Sequence, residues 1–178
     1  NKGMSKYLEG EFFHIYNRGN SKQIIFKDTE DHERFKKLLY LCNTEKRFKF
    51  REDIEKKKID AFDFEREGKI VDVCIYVLMP NHFHLVVSAG KPFGVEKFME
   101  KLEGGYTRYF NAKYKRTGSL FESKFKSEHL SNDNYLKYIF SYIHLNPIKL
   151  IQSDWKEKGI KNISKATSFL ESYFHSSY

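Results

Sequence analysis

At 178 residues, with 40% of them apolar, the chain has the length and the material for one domain with one substantial core. Lys+Arg exceed Asp+Glu by 32 − 24 = 8. No apolar run approaches the roughly 18 residues of a transmembrane helix, which excludes a helical membrane span. The two cysteines, Cys42 and Cys74, have neither metal-finger nor disulfide-framework spacing and read as reduced, buried thiols. No apolar targeting segment follows Asn1, so the reading is cytoplasmic. A basic chain with 17% aromatic residues suits a partner that carries phosphates and flat bases.

In residues 11–18 (EFFHIYNR), Phe13, Ile15 and Asn17 alternate with Phe12, His14 and Tyr16, as in a strand with both faces used. Asp28 or Thr29 can cap a helix with Phe35, Leu38, Leu39 and Cys42 at helical spacing. Residues 45–68 then hold eight basic and eight acidic side chains and read as a charged insertion, part helix or hairpin. VDVCIYVL (71–78) and HFHLVV (82–87) form a hairpin around Pro80-Asn81. A long amphipathic helix over 94–115, a strand over 120–130 and a helix over about 134–146 follow. The last is capped from Ser131, Asn132 or Asp133 and stopped at Pro147. The order matches a ferredoxin-like βαββαβ unit, an α+β fold with an antiparallel sheet, helices on one face, and C-terminal helices added. The expected organisation is a single domain over 1–178, with a core at about 11–150 and a helical tail at 151–178.

Two segments carry the candidate chemistry. In the 82–87 strand, His82 and His84 share one face while Phe83 points to the other, so the two imidazoles can meet one metal ion. A bare His-x-His also fits ordinary core or surface histidines. In NYLKYIFSYIHLNP, Tyr135, Tyr138 and Tyr142 share a helix face, and Tyr142 and Asn146 are i,i+4 neighbours. Such a stripe also fits plain packing. Together, a metal-binding pair and a tyrosine beside an amide make a phosphodiester-cleaving site. His144 reads as structural or surface; His14 and His129 lie in strands that could face the site, and ordinary packing also fits them. Between residues 105 and 126, Arg108, Lys113, Lys115, Arg116, Lys124 and Lys126 face one acid, Glu122, with aromatics interleaved. Together with Arg18 and Lys149 they are candidate DNA contacts.

The run PNHFH has the histidine–hydrophobic–histidine pattern of single-tyrosine HUH transposases. The sequence resembles the REP-associated tyrosine transposases in four stretches, in order: FFHIYNRGN, YVLMPNHFHLVV, YTRYFNAKYKRTGSLFESKFKS and YLKYIFSYIHLNPIK. These cover most of residues 11–150.

The resemblance implies metal binding by His82 and His84, a nucleophilic Tyr142 and a third ligand at Asn146. The insertion-sequence branch has a glutamine at that third position, and asparagine is shorter. Tyr138 is the rival nucleophile; Tyr106, Tyr109 and Tyr114 are weaker ones. The implied cofactor is Mg²⁺ or Mn²⁺. The implied substrate is single-stranded DNA next to a hairpin, cleaved and rejoined through a 5′-phosphotyrosine. The implied assembly is a monomer or homodimer. The alternative is a catalytically inactive, domesticated protein that binds hairpin DNA or RNA. A replication-initiator nickase fits less well, because such proteins often carry two tyrosines and a different motif order.

Overall fold

The computed structural model describes residues 6–178. Strand β1 (Phe12–Arg18), helix α1 (Thr29–Leu41), β2 (Val71–Met79), β3 (His82–Ala89), α2 (Gly94–Lys113) and β4 (Lys126–His129) are followed by α3 (Asp133–Leu145). The sheet order is β2-β3-β1-β4, with every neighbouring pair antiparallel. This is the expected ferredoxin-like arrangement, with β1 and β3 in the centre.

The caps named by the sequence form. The Asp28 carboxylate accepts from Asp31 N–H ahead of α1, and Asn132 accepts from Tyr135 N–H ahead of α3. Gly19 closes β1 where a Cβ would collide with the Gln23 carbonyl, so the chain turns there only with glycine.

Phe13, Ile15, Phe83, Leu85 and Val87 meet Phe35, Leu38, Phe98, Leu102 and Tyr106 in the main core, between the sheet and α1/α2. Burying a side chain such as Phe83 contributes about 1.5–3 kcal/mol. Both helices of the βαββαβ unit thus lie on one face, as expected, and the added α3 takes the other. The α3 residues Ile139 and Ile143 pack on the opposite face, against Ile75, Val77, Met79 and Val86. Strand β2 serves both faces through a register shift between Val73 and Ile75. Before it, Val71 and Val73 join the main core; after it, Ile75, Val77 and Met79 join the α3 cluster.

Other expectations change as well. The strand over 120–130 shrinks to β4, with one isolated bridge from Gly19 to Phe121. The insertion at 45–68 contains no hairpin among the described residues. It forms a π-type turn at Arg51–Glu55 and a 3-10 turn at Ala61–Asp63. Ile54, Ala61 and Phe64 anchor it on Leu41, and the Thr44 hydroxyl joins its two ends by bonding both Glu67 O and Glu67 N. Cys42 is buried but Cys74, at the register shift, is exposed.

After α3 a 3-10 turn, Asn146–Leu150, leads to α4 (Trp155–Lys158) and α5 (Ile163–Ser172), where Ala166 and Leu170 pack on Ile148. The C-terminal residues then run along the free edge of β2. Leu78 N–H donates to His175 O at 2.9 Å, and Ser177 N–H to Tyr76 O at 3.0 Å. An exposed strand edge is thereby covered. No helix among the described residues is long and apolar enough to cross a membrane.

Candidate active site

The alternation of β3 sends Phe83 into the main core and His82 and His84 to the α3 face. Their rings stand 5.1 Å apart, edge to face. His82 Nδ1–H donates to Asn81 Oδ1 at 2.7 Å, so the lone pair of the neutral ring is on Nε2. Helix α3 lies across this face, and the Tyr142 ring meets the His84 ring at 5.9 Å. One turn on, where Pro147 converts the helix to a 3-10 turn, Asn146 is 2% exposed and its amide lies beside His82. The Asn146 Oδ1 is buried and accepts no hydrogen bond. The structure therefore brings His82, His84, Tyr142 and Asn146 together.

The electrostatics favour neutral imidazoles ringed by cations. Burial pushes His82 down to about 4, helped by Lys149, Arg18 and Lys156 and opposed by the Asn146 amide. Burial, then the neighbouring His82 and His14 rings, hold His84 well below the ordinary histidine value. Neutral imidazole is the form that ligates a metal. The Lys156 ammonium donates to the Tyr142 hydroxyl at 2.7 Å and sits 4.1 Å over its ring.

Three neighbours carry no assigned role in the sequence reading. His14 lies in a strand that could face the site, and its Nε2 is 2.9 Å from His84 Nδ1. The alternation of β1 put His14 on the same face as Tyr16, but only the strand register shows that this face is also that of His84. Glu128 lies in the segment read as an alternating strand; its carboxylate accepts from the hydroxyls of Tyr16 (3.0 Å) and Tyr135 (2.8 Å). Lys156 lies in the tail, where no pattern marked it. His129 pairs instead with Glu11 at 3.0 Å, and His144 with Ser177 Oγ at 3.1 Å.

The rival tyrosines fall elsewhere. Tyr138, one turn earlier in α3, is 62% exposed and stacks on Tyr142 with ring centroids 6.2 Å apart. Tyr106 is buried in the main core, and Tyr109 and Tyr114 donate to the Asp31 carboxylate on the α1/α2 side.

The candidate DNA contacts divide between the two faces. Arg18 and Lys126 lie opposite His82 and Tyr16 in the sheet register, and Glu122 pairs with both. Lys149 and Lys156 join them around the histidines. Lys113 is engaged by Asp28, Glu30 and Asp31 on the other side of the sheet. Arg108 lines a groove of about 1110 Å³ between α1, α2 and the 45–68 insertion, with Arg47, Lys49 and Arg51 across from it. Arg116 bonds Asn111 beyond the end of α2, and Lys115 and Lys124 are exposed.

No curated protein matches the sequence. Among solved structures, the fold is similar to a REP-associated tyrosine transposase bound to a REP hairpin, with a TM-score of 0.57 at 11% identity. That likeness covers 100% of this chain and 82% of the other. A candidate transposase from Deinococcus radiodurans has a TM-score of 0.44 at 15% identity, covering 80% of this chain and 95% of that one. The family described as "Transposase IS200 like" matches residues 31–146, a span that runs from α1 to Asn146 and leaves out β1. With more than half of its length matched, this chain belongs to the IS200-like transposase family.

Proposed function

We propose that this protein cleaves and rejoins single-stranded DNA beside hairpins, using Tyr142 as nucleophile and a divalent cation, Mg²⁺ or Mn²⁺, held by His82, His84 and Asn146. One observation carries the reading. Side chains from β3, α3 and the following 3-10 turn converge on one spot, where a buried amide oxygen has no hydrogen-bond donor. Among the described residues no three His, Cys, Asp or Glu side chains group as a metal site, and the reading takes its third donor from an amide. The Asn146 oxygen is that donor, and two imidazoles with one carbonyl oxygen suit a divalent ion that keeps positions open. When bound, the ion supplies Lewis-acid polarisation of the scissile phosphate.

The chain's own residues account for the rest. Lys156 donates to the Tyr142 hydroxyl and so fixes the direction in which that oxygen points. Attack forms a bond from Tyr142 Oη to phosphorus and breaks the bond from phosphorus to the 3′ oxygen. The phenolic proton leaves to solvent, and the departing 3′ oxygen takes one up. The 5′ end stays on Tyr142, and a 3′-OH can reverse the step and join strands. Arg18, Lys126, Lys149 and Lys156 form a cationic rim for the phosphates entering the site.

Arg108, with Arg47, Lys49 and Arg51, gives the α1/α2 groove a second contact for the duplex stem, flanked by Lys115, Arg116 and Lys124. The acids of that groove are already paired: Glu30 with Lys113, Glu52 with Lys56, Asp53 with Lys57 and Glu55 with Arg34. Lys113 is committed to its carboxylates and contributes least.

The test is a denaturing gel of the full chain incubated with a hairpin-bearing single-stranded oligonucleotide and Mn²⁺. A covalent adduct is expected from the wild type and from Tyr138→Phe. None is expected from Tyr142→Phe or with chelator. An adduct from Tyr142→Phe would overturn the assignment.

A further inference from the structure

We infer that Glu128 and His14 are positioning residues that set the tautomer of His84, so that its Nε2 lone pair, and not an N–H, faces the metal position. The inference rests on the reading of His84 as a metal ligand and adds two residues to it. One of them, His14, lies outside the span matched by the family.

The geometry starts with the register. His14 lies opposite Glu128 on β4, and Tyr16 lies opposite His84 on β3, so Glu128, His14 and His84 step across three strands on one face. His14 Nε2 and His84 Nδ1 are 2.9 Å apart, and both rings are buried. At that distance one nitrogen donates and the other accepts. His84 Nδ1 is thus occupied, and Nε2 is the nitrogen left for a ligand.

Two proton arrangements satisfy a pair of neutral rings. In the first, His84 Nδ1–H donates to His14 Nε2. The His14 proton is then on Nδ1, facing Glu128 Oε2 at 3.8 Å. In the second, His14 Nε2–H donates to His84 Nδ1. His84 then carries its proton on Nε2 and cannot ligate, while a lone pair on His14 Nδ1 faces the carboxylate.

The second arrangement sets the lone pair of the buried His14 ring against the anion. The first sets N–H toward anion. His14 Nδ1 has no hydrogen-bond partner within the described residues, so the carboxylate is the group that distinguishes the two arrangements. Glu128 is equipped for this. The Tyr135 and Tyr16 hydroxyls both donate to it, which holds the carboxyl below the usual glutamate range and fixes its direction. The result is a chain from carboxylate through imidazole to imidazole. It lengthens by one ring the usual outer support of a metal-bound histidine.

The test uses the full chain and Mn²⁺ alone. Histidine ¹⁵N NMR of the metal-free protein should show His84 protonated at Nδ1, and His14→Phe should return it toward the Nε2–H form. Mn²⁺ affinity, read from the free-ion EPR signal, should fall about 10-fold in His14→Phe. Glu128→Gln should lower it less. His14→Gln, whose amide oxygen can accept from His84 Nδ1–H, should recover part of the loss. If His14→Phe fails to fold, as judged by circular dichroism, Glu128→Gln carries the test, because Glu128 is exposed and its replacement is nearly isosteric. Loss of Mn²⁺ binding in His84→Ala alongside unchanged affinity and tautomer in the His14 and Glu128 variants would overturn the relay and leave the metal site standing. Unchanged affinity in His84→Ala would overturn the metal site and the relay with it.

Discussion

The two faces of the sheet are built from the same strands but serve different ends. Toward α1 and α2, residues such as Phe13, Ile15, Phe83 and Leu85 form a continuous apolar core. Toward α3, the alternate positions Tyr16, His14, His82 and His84 meet Tyr142, Asn146 and Glu128, beside apolar packing that includes Phe12, Val86, Leu130 and the β2 residues. One face lowers the free energy of the fold. The other keeps imidazoles neutral, leaves an amide oxygen without a donor and gathers lysines, features that cost stability and supply chemistry. On this view β3 is a divider, with each successive side chain assigned to one task or the other.

The largest effects should separate the faces cleanly. His82→Ala should abolish metal-dependent adduct formation, yet shift unfolding by less than about 1 kcal/mol, since its half-buried ring adds little packing. Phe83→Ala, one residue away, should destabilise the protein by about 3–5 kcal/mol in chemical denaturation. It should leave a residual folded fraction that still forms adduct. If the two variants behaved alike, the division would be wrong.

A smaller effect comes from the polar exception on the α1/α2 side. Glu103 accepts from Asn17 Nδ2 at 2.8 Å, and burial pushes its carboxyl up to about 7, with the Asn17 bond opposing. A carboxyl raised in the fold favours folding most below its unfolded value of about 4.5. That contribution is lost as pH rises through about 7. Glu103→Gln keeps an acceptor for Asn17 but carries no charge. Relative to wild type it should therefore gain stability between pH 5 and 7 and hold that gain above, on the order of 1–3 kcal/mol. Denaturation at pH 5, 6, 7 and 8 measures this; a gain that shrank as pH rose would have the wrong sign.

The smallest effects concern DNA affinity. Arg18→Ala on the site face and Arg108→Ala in the groove should each flatten the dependence of log K on log salt by about 0.9 or less. Lys113→Ala should leave that slope unchanged and instead destabilise the fold, because its three carboxylates lose their cation.

Much of this was legible in the chain. The alternation of residues 82–87 separated Phe83 from His82 and His84, and the cap at Asn132 with the stop at Pro147 set α3 to within a residue. The i,i+4 spacing of Tyr142 and Asn146 placed them on one side of that helix. Local rules suffice in these cases because the helix and strand periods are local. The strand read over 120–130 was too long, since only residues 126–129 pair as a strand and the bridge at Phe121 stands apart from them. The basic residues between 105 and 126 looked like one patch, but α2 and β4 send them to different sides of the sheet.

Composition and periodicity, then, determined by themselves that this is an α+β chain with a histidine pair on one strand face and a tyrosine–amide pair on one helix. Tertiary structure decided that α3 crosses the sheet on the histidine side, that the tail returns Lys156 to Tyr142, and that β1 and β4 bring His14 and Glu128 up behind His84. The reason is physical. Side-chain direction along one element follows from backbone geometry. Strand register and helix placement depend on which distant surfaces bury each other best, and no window of sequence contains both partners.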